Sequence, residues 1–298
     1  MLTLFPAFRE KGWTAIDAGT YAKAWQRFGG SVMTHPAFVE RLSALAGIEV
    51  KYLGWFRGET IVGAIATWGR YLALSRKALK RYGKKNAFDL GNAEVILPID
   101  PEHNVPVRFL MRYVSEMNSA NISTLKLQEE SIALARPPEE FSKKSLYNQR
   151  RELRIFSEHG GTVHAVQDCS PEELAEIYAT LFAKRWGFEA AARETLSQVF
   201  SLLRPFMTGS ILRMRDKPIA VQILYRVDSP RWISVEYLNG GVDPEFSEYS
   251  PGSILTFLNT HAAWEHARSE GKALRYSFGR VDRDYKMRWC RATPVYRT

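Results

Sequence analysis

Near Pro205 the hydrophobic period of this chain switches from that of a helix to that of a strand, and the order of such switches over residues 170–278 leaves few folds open. SPEELAEIYATLF begins with Ser170 as N-cap, Pro171 at the first helical position and Glu173 placed for a capping box. Leu174, Ile177, Tyr178, Leu181 and Phe182 then share one helical face. A second helix is predicted over Thr195–Leu203, with Leu196, Val199, Phe200 and Leu203 on one side and Pro205 as its stop. From there the period is two. SILRMR, a turn at Asp216-Lys217 and PIAVQILYRV predict a hairpin, and RWISVEYLNG adds a third strand after Pro230. GGVDPEFSEYSPG reads as a polar loop, SILTFLNTHAAWEHARSEG as a helix ended by Gly271, and Ala273–Phe278 as a further strand. Helix, helix, three antiparallel strands, helix, strand is a mixed α/β arrangement, a mostly antiparallel sheet with flanking helices.

The first half carries a weaker copy. KYLGWFRGETIVGAIATWGR (Lys51–Arg70) has the same strand-turn-strand form, and HPAFVERLSAL (His35–Leu45) before it is amphipathic. In register, Arg57-Gly58-Glu59-Thr60 falls on Arg215-Asp216-Lys217-Pro218. An internal duplication is therefore expected, against the alternative that two hairpins of a common type merely look alike. RPPEEFSKK (Arg136–Lys144) combines a Pro-Pro break with a charge run. It divides the chain into domains 1–142 and 143–298.

A 298-residue chain with 45% hydrophobic and 24% charged residues can bury a large core. The formal charge of +9 points to an anionic partner without choosing among nucleic acid, membrane surface and phosphate-bearing small molecule. The cations cluster. RKALKRYGKK (Arg76–Lys85) carries six, and KKSLYNQRRELR sets Lys143, Lys144, Arg150, Arg151 and Arg154 against the single acid Glu152. Either run also serves as a solvated helix face. Two cysteines and no CxxC suit a reducing compartment. The start, MLTLFPAFREKGW, meets Pro6, Arg9 and Lys11 before a secretory apolar core forms, and no run of 18 apolar residues occurs. The expectation is a cytoplasmic protein. His261 and His266 are five apart, which is wrong for one helix face, so no metal site is expected.

Four pieces in order carry a resemblance: Gln149-Arg150-Arg151-Glu152-Leu153-Arg154, Lys184-Arg185-Trp186, Tyr249-Ser250-Pro251-Gly252, and Phe278-Gly279 followed by Asp284-Tyr285-Lys286. Together they resemble the GNAT superfamily in its FemAB-type aminoacyltransferase form. RFGGSVMTHPAFVERL (Arg27–Leu42) is similar to a bacterial family induced inside macrophages and linked to resistance against cationic antimicrobial peptides. These resemblances imply two tandem GNAT-like domains. They imply an acyl- or aminoacyltransferase at the inner face of the inner membrane, where the basic runs would dock on an anionic membrane or on a donor tRNA. They also imply that the cleft binds coenzyme A or another activated acyl donor as co-substrate, with no tightly bound cofactor.

The GNAT cleft lies between two splayed strands, and the helix that follows the first of them binds pyrophosphate with its N-terminus. That helix would start at Ser250, Pro251, Gly252 and Ser253, although Ser-Pro-Gly is equally an ordinary cap. The longer phosphate loop of acetyl-CoA users is missing, which leaves the donor open. Glu236, mid-strand in ISVEYL, is the candidate general base, or else a structural partner of Arg275 or Arg226. Tyr285 is the candidate acid. Lys286 is expected on phosphate, and Arg185, Trp186 and Arg280 on substrate. The same final segment also reads as a turn whose tyrosine packs while its charges face water.

The leading expectation is transfer of an acyl group to an anionic lipid or glycan precursor. The alternative is a non-catalytic GNAT-fold peripheral membrane or envelope-stress protein. A nucleic-acid binder ranks below both, because no DNA-reading motif accompanies the charge.

Overall fold

The computed structural model describes residues 8–298. The opening of the leader reading, residues 1–7, lies outside it. The chain runs β1 (Trp13–Ile16), α1 (Ala18–Phe28), α2 (Pro36–Ala46), β2 (Lys51–Arg57), β3 (Thr60–Trp68), β4 (Tyr71–Leu72) and α3 (Arg76–Arg81). After a long connection come β5 (Val114–Ser115), β6 (Lys126–Ala135), α4 (Lys143–Glu158), β7 (Gly161–Ala165), α5 (Pro171–Trp186) and α6 (Leu196–Leu203). The chain closes with β8 (Met207–Met214), β9 (Lys217–Asp228), β10 (Trp232–Val242), α7 (Pro251–Ser269), β11 (Ala273–Arg280), α8 (Asp284–Trp289) and β12 (Cys290–Arg297).

Local signals place most of these. Asp17 accepts from Thr20 N–H to start α1, and Gly47 at φ 63° closes α2 in the left-handed region. Ser170 caps α5 as expected, its Oγ accepting from Glu173 N–H at 3.1 Å. The predicted capping box is only half formed, because the Glu173 carboxylate instead takes Arg213 at 2.9 Å. The β8–β9 turn is Arg215-Asp216, one residue earlier than expected. Both residues have positive φ, 48° and 68°, as a two-residue hairpin turn matched to strand twist requires.

The sheets repeat one plan. The first has the order β1-β2-β3-β4, and β7-β8-β9-β10 follow the same order within an eight-stranded sheet β5-β12-β6-β11-β10-β9-β8-β7. In each copy two helices separate the first strand from the second, α1 and α2 in one, α5 and α6 in the other. β6 precedes the Pro-Pro break, yet it is hydrogen-bonded between β12 and β11. The larger sheet thus draws strands from both sides of residue 142.

One apolar core joins the two halves. It runs from Trp25, Phe38 and Trp68 to Phe200 and Tyr225, with the Phe38 ring 4.8 Å from Phe206 and 5.4 Å from Tyr225. β10 lies at the centre. Its Trp232 indole donates to Gly30 O at 2.8 Å, and its Ser234 Oγ accepts from Val32 N–H at 3.3 Å. Its other face, Ile233, Val235 and Tyr237, packs with Phe257 and Phe278. α5 sits directly on β10: a Cβ at Gly241 would lie 2.4 Å from the Leu181 carbonyl carbon and 2.6 Å from Phe182 N.

Gly241→Ala should therefore push α5 off β10 and cost about 1–3 kcal/mol by urea denaturation. Gly252→Ala, whose Cβ would meet nothing nearer than 3.8 Å, should stay within about 0.5 kcal/mol.

Candidate active site between two splayed strands

β10 and β11 run parallel and pair from Trp232↔Ala273 to Glu236↔Ser277. There the ladder stops. A register shift between Tyr237 and Asn239 keeps the rest of β10 on β9, while β11 shifts between Ser277 and Arg280 and continues on β6. Gly279, at φ 69°, allows the second shift. The facing edges of Tyr237–Val242 and Phe278–Arg280 thus lose each other as partners, and a V-shaped gap opens toward the start of α7.

One side of the gap is covered by residues 91–94. A Cβ at Gly91 would lie 3.8 Å from Leu238 O, and one at Gly279 would lie 3.6 Å from Asn92 O. Glu94 N–H donates to Glu236 Oε1 at 2.9 Å. Glu236 stands at the apex, buried, beside the fully buried Glu94. Arg275 is the counter-charge of this cluster. It forks onto Glu94, reaches Glu116 at 3.3 Å and takes Ser115 Oγ at 3.3 Å. Arg226 is not a partner of Glu236; it lies 3.4 Å from Asp228. Burial first, and then the Glu94 charge, push the Glu236 carboxyl well above the usual carboxylate range. Both causes favour the protonated form of the carboxyl over the charged one.

A cation–aromatic cluster drawn from α5, α8, β10 and β11 also lies at the gap. Arg185, near the end of α5, sends Nη1 to Gly240 O at 3.3 Å, and its guanidinium lies 4.6 Å over the Trp186 ring. Tyr285 of α8 lies 6.0 Å from the same guanidinium, and Arg283 lies 5.6 Å over Trp186. Tyr237 stacks edge-on to Phe278 at 5.3 Å. Burial, with Tyr237 next, raises the Tyr285 phenol to about 12, so it is protonated at neutral pH.

The remaining expected residues lie elsewhere. Lys286 is buried: its ammonium donates to Phe278 O at 2.9 Å and Arg280 O at 2.7 Å and forms an ion pair with Asp282 Oδ1 at 2.9 Å. An ammonium engaged by two carbonyls and a carboxylate is spent on the end of β11, which it holds in place, rather than on a phosphate. Ser250 takes a left-handed φ of 52° before α7 and makes no side-chain cap. Pro251 has no N–H and Ser253 N–H is spent on Ser250 O at 2.9 Å, so at most the exposed Gly252 offers a donor. Arg280 points away from the α5–α8 cluster, toward Glu130 at 3.7 Å and Asp282 at 3.9 Å. Geometry therefore gathers Glu236, Arg185, Trp186 and Tyr285 at the gap, ties off Lys286 and sends Arg280 elsewhere. Glu94 and Tyr237 were missed. Glu94 gave the same signal as Glu236, an acid inside an apolar run, NAEVILP.

Replacing Glu236 with Gln mimics its neutral form and should preserve the fold. In the wild type the folded carboxyl keeps its proton to higher pH than the unfolded one, so stability declines as pH rises from the unfolded value, 4.5, toward the folded one. The advantage of Glu236→Gln over wild type should grow with pH, by at most about 1.4 kcal/mol per unit, in urea titrations between pH 4 and 8. A constant difference would show that Glu236 ionises normally.

With this geometry in place, comparison with known proteins is informative. No curated protein matches the chain. Among solved structures, FemX aligns with a TM-score of 0.53 at 10% identity over 91% of this chain and 90% of its own. L-PGS from Bacillus licheniformis aligns at 0.48 with 10% identity over 94% and 91%. A tandem GNAT protein from the clavulanic acid biosynthesis pathway aligns at 0.45 with 10% identity over 96% and 97%. The likeness to FemX shows the fold alone: the two chains share one mixed α/β architecture over about nine-tenths of each. The model of the Mig-14 family matches residues 35–298, and the chain belongs to that family.

Proposed function

We propose that this protein is an acyl- or aminoacyltransferase that works in the gap between β10 and β11. The observation that carries this reading is the ladder that ends at Glu236↔Ser277, because past it β10 and β11 stop pairing with each other and follow different neighbours. An extended thioester or ester donor, whether an acyl-CoA or an aminoacyl-tRNA end, enters between the two strands there. The acceptor amine or hydroxyl attacks the donor carbonyl. A C–N or C–O bond forms and the donor C–S or C–O bond breaks. Tyr285 gives its proton to the leaving atom and regains one from the acceptor. The guanidinium of Arg185 beside it stabilises the transient phenolate.

The acceptor in this reading is an anionic lipid or glycan precursor of the envelope, which ties the activity to antimicrobial-peptide resistance. The exposed cations of the α3 region, Arg76, Lys77, Lys80, Arg81, Lys84 and Lys85, hold the protein on the inner membrane face. No helix among the described residues is long and apolar enough to cross a membrane. A second reading, a non-catalytic GNAT-fold membrane or envelope-stress protein, is favoured by one observation: Lys286 is tied to Phe278 O and Arg280 O and Glu236 to Glu94 N–H, so two side chains expected to do chemistry are engaged by structure.

Thermal-shift titration with coenzyme A, acyl-CoAs and aminoacyl-tRNA separates the readings. A transferase should be stabilised by its donor. Tyr285→Phe should keep that stabilisation while lowering turnover about 10²–10³-fold. A protein that no donor stabilises, and that transfers nothing, is the non-catalytic member. Lys286→Met should lower the melting temperature rather than donor affinity, since it removes two internal hydrogen bonds and an ion pair, about 1–3 kcal/mol of stability.

A further inference from the structure

Behind residues 89–93 lies a separate cleft of about 1060 Å³. Eight lysine and arginine side chains line it against three acidic ones. The acids are largely spoken for: Glu130 pairs with Arg112, and Asp89 accepts from Gly91 N–H at 2.9 Å. Among the described residues, the lining cations Arg76, Lys77, Lys80, Lys85, Lys126 and Arg297 have no ion-pair partner. They come from three separate parts of the chain, the α3 region, β6 and β12. So many unpaired cations around one concavity repel each other and focus positive potential into it.

Two further features mark the place as built. Leu74 and Tyr113, both buried in its wall, hold φ of 61° and 59°. Neither is a glycine, and a bulky residue in the left-handed region persists only where the surroundings force it. The floor is apolar, with Leu79, Phe88, Leu90 and Met111. At the edge Leu127 is 64% exposed, and Tyr82, which follows α3, is 44% exposed. Cations above an apolar floor, with exposed hydrophobics beside them, match a ligand that has a phosphate head and a hydrocarbon body.

We infer that this cleft binds the phosphate head of an anionic lipid, with Arg76 and Lys126 on opposing walls gripping the phosphate and Leu127 meeting the acyl region. Arg280, which also lines the cleft, belongs to it rather than to the α5–α8 cluster. The inference concerns binding and does not depend on transfer chemistry in the gap.

The test is co-sedimentation of the full chain with phosphatidylglycerol/phosphatidylcholine vesicles at physiological salt. Arg76→Gln with Lys126→Gln should weaken binding tenfold or more. Lys143→Gln with Arg150→Gln, the same loss of charge on α4, should change it less than threefold. Melting temperatures check that both variants are folded. Leu127→Glu, at an exposed position, should weaken vesicle binding while leaving any thermal shift by glycerol 3-phosphate unchanged. Equal losses from the two charge pairs would show only diffuse attraction and overturn the cleft. Stabilisation by glycerol 3-phosphate without vesicle binding would overturn the lipid and leave a soluble phosphate ester.

Discussion

The geometry of this protein turns on the point where β10 and β11 cease to pair. Up to Glu236↔Ser277 the two strands satisfy each other's backbone groups. Beyond it each is held by its outer neighbour alone, β10 by β9 and β11 by β6. Unpaired buried backbone groups are costly unless something meets them. The strands diverge because register shifts on both sides point them apart, with Gly279 supplying the backbone conformation that one shift requires. A sheet that opens in its middle gives up some ladder energy at that point.

What keeps the gap from collapsing is the support on either side. Lys286 draws together Phe278 O, Arg280 O and Asp282, which fixes the end of β11. Residues 91–94 of the N-terminal half close one side, and the charged cluster of Arg275, Glu94 and Glu116 anchors them to β11. The first half of the chain is therefore part of the site's wall. The continuous core from Trp25 to Tyr225 makes the two halves one mechanical unit at β10.

The molecule has two positively charged regions of different kinds. The guanidiniums of Arg185 and Arg283 are engaged with the Trp186 ring at the gap, with Tyr285 beside Arg185. In the second cleft Arg112 and Arg280 are paired with acids, whereas Arg76, Lys77, Lys80, Lys85, Lys126 and Arg297 have no ion-pair partner among the described residues. Residues 89–93 line the second cleft, and Gly91 and Asn92 also lie against Leu238 and Gly279 at the gap.

Much of the fold was legible in the sequence. α5, α6, the β8–β9 hairpin, β10, α7 and β11 follow from hydrophobic period, a serine cap and glycine or proline stops, because those signals act within a few residues of one another. The hairpin of the first half was readable for the same reason. Arg185, Trp186 and Tyr285 were picked out by resemblance, and the structure brings them together. The tying-off of Lys286 and the burial of Glu236 against Glu94 were hidden. They depend on carbonyls and carboxylates that reach their positions only when β11 has folded back and residue 94 has crossed to meet residue 236. The insertion of β6 between β11 and β12 was hidden too, since nothing within a strand states which edge it will join. Sequence determined the elements, whose energetics are local. Tertiary structure alone decided where a ladder ends and which charges are spent, because pairing register and burial are set by residues far apart in the chain.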